Sequence, residues 1–151
     1  MEVPLTIDVT TGDSITPAPI EYDYPLLFDE GSVRLKAYPL ETVLAEKLEA
    51  VISRGVASAR PRDFYDICTL WRLFGADCNV ETLRRAVGAT CDKRGSALRL
   101  SRWEQVLDEV ENDGHMLAQW DKYRGRNPYA AGMSLQEGCE AAREIMRSIS
   151  S

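Results

Sequence analysis

The chain has 151 residues, 44% of them hydrophobic and 28% charged, with a formal net charge of −6. That length and balance suit one globular domain with a single core, and the acidic total argues against holding nucleic acid through a global field. No run approaches the ~20 apolar residues of a membrane span, and Met1-Glu2-Val3-Pro4 lacks the basic and apolar parts of a signal peptide.

Cys68, Cys78, Cys91 and Cys139 are scattered and His115 is the single histidine, so the spacings that hold zinc are missing and a reduced, cytoplasmic setting is expected. In chain order, Leu5, Ile7 and Val9 alternate with Thr6, Asp8 and Thr10, the period of a half-buried strand. Asp8 falls on the face opposite the apolar row, where a strand would hold an oxygen ligand rigidly enough for Mg²⁺. Residues 14–31 carry Pro17, Pro19, Pro25 and a Glu30-Gly31 turn, and predict a loop with a short strand near 25–28. Val33, Leu35 and Ala37 alternate with Arg34 and Lys36, which predicts a second strand over 32–37.

From Pro39 the pattern is helical, with helices expected over 39–54, 61–74, 80–91, 101–112, 114–124 and 134–149. Asn79, Ser101 and Ser134 are the expected N-caps, the last two completed into capping boxes by Glu104 and Glu137, and Gly55 and Gly75 are the expected stops. The expected class is α+β: short strands over 1–38 forming a partial sheet, then a helical region over 39–151, together one compact domain. Two strands do not make a stable sheet alone, so the chain is expected to be the C-terminal portion of a larger fold.

The first two helices carry charge where apolar residues belong. Leu40, Val43, Leu44, Leu48, Val51 and Ile52 share one stripe, and Lys47 and Arg54, seven positions apart, lie within it. On the next helix Phe64, Ile67, Cys68, Trp71 and Phe74 form the apolar face, with Asp63 at its edge. Inward charges cost several kcal/mol unless paired or used, which makes these residues site candidates. Two local basic clusters accompany them: Arg54, Arg60 and Arg62, then Lys93, Arg94, Arg99 and Arg102.

Ile7-Asp8-Val9, then Leu44-Ala45-Glu46-Lys47-Leu48, then Arg62-Asp63-Phe64-Tyr65-Asp66-Ile67 resembles, in this order, the AbiEii-type nucleotidyltransferases, toxins of abortive-infection and type IV toxin–antitoxin systems. The resemblance implies that the strands are the remnant of a nucleotidyltransferase sheet, that a nucleoside triphosphate and Mg²⁺ are the cofactors, and that nucleotide transfer, in some members to tRNA, is the activity. It implies a metal-ligand role for Asp8, a triphosphate contact for Lys47 and a catalytic or orienting acid in Asp63. Arg54, Arg62 and Asp66 would join Lys47 in nucleotide binding.

Nucleotidyl transfer needs cations at the charge that develops on phosphate, and little covalent help, which agrees with these roles. The family's Gly-Ser followed by an Asp-x-Asp pair does not occur in this sequence: Gly31-Ser32 and Gly95-Ser96 are followed by no such pair. The chain alone is therefore expected to be inactive. Expected partners are the nucleoside triphosphate, tRNA, a cognate antitoxin or a missing N-terminal half, and a second copy paired through a sheet edge. The competing expectation is a non-enzymatic helical protein-interaction module using Trp103, Trp120, Tyr123 and Tyr129.

Overall fold

The computed structural model describes Gly12 and residues 15–151. The strand expected at 5–10, and Asp8 with it, lies outside the described residues. Among the described residues, β1 (Ile20–Pro25) and β2 (Ser32–Ala37) form an antiparallel hairpin. There follow α1 (Leu40–Ser58), α2 (Pro61–Phe74), α3 (Val80–Arg94), the single turn α4 (Ala97–Leu100), α5 (Trp103–Asn112), α6 (Gly114–Arg126) and α7 (Leu135–Ser150). The fold is α+β, as the patterning predicts.

The first strand of the hairpin lies where a loop is expected, because Ile20, Tyr22 and Tyr24 alternate with Glu21 and Asp23 between two prolines that mask the pattern. Proline is tolerated at a strand end, and Pro25 closes β1 opposite Ser32. Of residues 25–28, expected as a strand, Pro25 ends β1 and 26–28 lead into the bend, where the Leu26 N–H donates to the Gly31 carbonyl at 3.0 Å. The register stacks Ile20, Tyr22 and Tyr24 against Ala37, Leu35 and Val33 on one face. Glu21 and Asp23 lie opposite Lys36 and Arg34 on the other. Both faces are exposed, the apolar one included.

Helix α1 is the axis of the helical body. Leu44, Ala45, Leu48, Val51 and Ile52 are buried, and the helix packs against α2, α3 and α5. Its regular run ends at Gly55, where φ of +51° and ψ of −150° make a kink that a residue with a Cβ does not readily adopt. Helix α2 starts at Pro61, whose missing N–H costs nothing at a first helical position, and buries Phe64, Ile67 and Cys68. Its far end departs from expectation. Phe74 is 47% exposed and Trp71 is only partly buried, with its indole N–H donating to Glu144 at 3.0 Å, because the apolar face turns outward in the last turn.

The Asn79 cap accepts from the Thr82 N–H at 2.9 Å, and Ser134 with Glu137 forms the expected capping box. Ser101 caps nothing. Residues 97–100 already form a helical turn, Ser101 continues it with φ −62° and ψ −13°, and its hydroxyl donates back to the Leu98 carbonyl; an N-cap needs non-helical backbone. Helix α5 therefore begins at Trp103 behind Arg102.

Helix α7 closes the core with Leu135, Cys139, Ala142, Ile145 and Met146, and packs on α2 through Gly138. A Cβ on Gly138 would lie 2.9 Å from Phe64 Cβ and 3.2 Å from the Phe64 carbonyl oxygen. Gly138→Ala should therefore destabilise by about 1–3 kcal/mol in urea unfolding, through forced separation of the two helices. Gly88→Ala, in α3 with nothing within 4 Å of the added Cβ, should be neutral or stabilise by up to ~1 kcal/mol. Equal effects from the two would refute the close α2–α7 contact.

Glu137 also accepts from Arg72 at 2.7 Å and from the Ser134 N–H at 2.8 Å. The Arg72 hydrogen bond, with the Ser134 bonds, holds its carboxyl down at about 2 against an ordinary 4.5. A lowered native pKa stabilises above the unfolded value and ceases to do so as pH falls through the native one. The stability difference between the native chain and Glu137→Gln should thus be full above pH 4.5 and close toward pH 2; a gap independent of pH would refute this assignment.

Candidate functional site

Two short-range spacings and one tertiary contact build the site. Lys47 and Arg54 stand two turns apart on α1, and Asp63 and Asp66 lie at i, i+3 in the opening turns of α2, so each pair shares one helix side. Packing α1 on α2 brings the pairs together. The Lys47 Nζ lies 3.0 Å from Asp63 Oδ1 and 2.6 Å from Asp66 Oδ2. Asp63 offers its other oxygen to Arg54 at 3.7 Å, and Asp66 is 3.7 Å from the Arg62 Nε. The side chains of Lys47, Asp63 and Asp66 are 23%, 15% and 23% exposed, well withdrawn from water yet reachable.

Burial alone would push the Lys47 ammonium toward neutrality. Its hydrogen bonds to Asp66 and Asp63 outweigh that and raise its pKa above the ordinary 10.5, so the group is a fixed cation at neutral pH.

Beside it opens a cavity of about 360 Å³. Four cations line it, Lys47, Arg54, Arg60 and Arg94, against two carboxylates, Glu46 and Asp63, while Tyr38 and Val43 supply an aromatic and an apolar wall. Of the expected site residues, Lys47, Arg54 and Asp63 face this cavity, whereas Arg62 and Asp66 are not among its lining and act on Lys47 from beside it. Asp8, the expected metal ligand, lies outside the described residues. Arg60 and Arg94 are the additions. Both belong to basic clusters visible in the sequence, but only the fold places Arg94, from the end of α3, next to Lys47. Arg60 pairs with no carboxylate among the described residues and adds positive potential at the mouth.

The carboxylates present do not fit a Mg²⁺ site. Asp63 and Asp66 are already engaged by three cations, Lys47, Arg54 and Arg62, and a divalent ion there would sit against an ammonium held within 3.0 Å of the same oxygens. Among the described residues no three His, Cys, Asp or Glu side chains converge in a way that holds a metal. No helix of these residues is long and apolar enough to cross a membrane. The aromatic set expected to form an interaction surface is divided: Trp120 is 2% exposed, with its indole N–H on the Met133 carbonyl, while Tyr129 is 60% exposed and packs against Tyr65 and Tyr123.

The network is cooperative, since Lys47 separates two carboxylates. Lys47→Met should cost about 1–3 kcal/mol by leaving each carboxylate with only a guanidinium at 3.7 Å, and Asp66→Asn in that background should return part of the loss. An additive double-mutant cycle in urea unfolding would show that the pair is not coupled.

The family model described as nucleotidyl transferase AbiEii toxin, type IV TA system, matches residues 1–144, and the chain belongs to that family. Comparison with curated proteins and with solved structures gives no match.

Proposed function

We propose that in this member of the AbiEii nucleotidyltransferase toxin family the cavity between α1 and α2 receives the phosphates of a nucleoside triphosphate. The observation that carries the reading is the Lys47 ammonium, kept charged by Asp63 and Asp66 and facing a cavity with three further cations. A compact ammonium suits a single phosphate oxygen as a point charge, and guanidinium groups suit a forked contact. In this reading Lys47 contacts the triphosphate and the Asp63 carboxylate orients the ammonium. Arg54 shares Asp63 and meets the phosphates, and Arg62 and Asp66 set the position of Lys47 from outside.

Because the cations are fixed before the ligand arrives, the site stabilises charge on the phosphates with little reorganisation. The tRNA acceptor is the one the resemblance implies, and a cognate antitoxin is the counterpart that toxin–antitoxin membership implies. The Mg²⁺ that accompanies such triphosphates would need carboxylates other than Asp63 and Asp66; the resemblance offers Asp8. With no Asp-x-Asp pair in the sequence, this reading assigns binding and charge stabilisation to the chain, and no transfer by the chain alone.

Calorimetric titration with each of the four ribonucleoside triphosphates tests it. At least one should bind, and Lys47→Ala should remove that binding while circular dichroism stays unchanged. A chain that binds none of them, or binds equally well without Lys47, overturns the reading.

A further inference from the structure

Glu49 is 3% exposed, on the side of α1 that buries Leu48, Val51 and Ile52. A carboxylate there is costly unless it is paired and hydrogen-bonded. It accepts from the Ser53 hydroxyl at 2.7 Å and is bound by the Nη1 of Arg94, which reaches across from the last turn of α3. The second Arg94 nitrogen lies 3.6 Å from Glu46, and the side chain, 37% exposed, ends in the wall of the Lys47 cavity. Burial opposes ionisation of Glu49, yet the Ser53 and Arg94 hydrogen bonds keep its carboxyl below the usual range, so the pair is ionic.

Helix stability does not explain this arrangement. A cation is favoured at the end of α3 by the helix dipole, but that needs no buried carboxylate in the neighbouring helix. Apolar residues of similar volume would hold α1 to α3 as well or better. What the buried pair does achieve is to hold one guanidinium in a single orientation at the cavity wall. Arginine left to itself carries high rotamer entropy, and a forked phosphate contact demands a fixed plane.

We infer that Arg94 is a phosphate-binding residue of this cavity and that Glu49 is its positioning residue. The ligand class is the triphosphate moiety of a nucleotide; the inference rests on the reading of the cavity given above. Lys47 then supplies the point charge and Arg94 the planar fork.

The test is calorimetric titration of the full chain with inorganic triphosphate and with the nucleoside triphosphate that binds best, alongside thermal melting. The double variant Glu49→Met/Arg94→Met should melt at or above the native temperature and lose about tenfold or more in affinity for both probes. Glu49→Gln should weaken binding while Arg94 is still present, and Arg94→Lys should restore part of what the double variant loses. If the double variant does not fold, these two single variants decide.

Lower melting temperatures with unchanged affinities would make the pair a structural bridge and overturn the inference. Affinity lost in Lys47→Ala but not in the Arg94 variants overturns it while sparing the wider reading. Affinity lost in the Arg94 variants but not in Lys47→Ala overturns the role given to Lys47 and leaves Arg94 as the phosphate contact of the cavity. A native chain that binds neither probe overturns both.

Discussion

An ammonium on the inward side of a helix has no stable place unless anions meet it, and the arrangement of α1 and α2 follows from that requirement at Lys47. The two carboxylates that meet it are spaced one turn apart, so they hold α2 in one register against α1 more sharply than apolar contact does. Phe64, Ile67 and Cys68, on the neighbouring side of α2, are buried, and Phe64 meets Gly138 of α7. The same constraint leaves Lys47 at a cavity wall instead of in a sealed core. Packing and site geometry are here two results of one electrostatic demand.

The cavity's charge is distributed with economy. Each cation except Arg60 has a carboxylate partner among the described residues, so the wall is ordered before any ligand arrives while its sum stays positive. A wall of unpaired cations would repel itself and remain mobile. Four cations against the two carboxylates that share the lining let a chain of net negative charge present a local positive face.

Much of the helical body was legible in the sequence because strong local signals punctuate it. Pro61, Gly55, Asn79 and the Ser134–Glu137 pair each act within a few residues, and the helix boundaries they mark agree with the structure. Lys47 and Asp63 also stood out in the sequence as inward charges on or beside an apolar stripe, while their direct ion pair comes from the packing of α1 on α2. What escaped has a physical reason in each case. The strand at 20–25 is flanked by prolines whose usual meaning is loop. Ser101 has the right spacing for a cap but the wrong backbone, and Trp71 lies where α2 turns away from the core. Arg94 reaches Glu49, and the wall of the cavity that Lys47 lines, from more than forty positions away, a contact that periodicity cannot carry because it depends on how α3 returns to α1.

The hairpin has a consequence of a different kind. Among the described residues the hairpin is a two-stranded ribbon, one face of it a row of aromatic and branched residues with Phe28 fully exposed at the tip. Such a segment templates cross-strand growth from chain to chain. Arg34, Lys36 and Pro25 stand along it as gatekeepers, placing charge and a missing N–H where an incoming strand would dock. Charge and proline on the ribbon, and not the helical core, are thus what disfavour strand addition there.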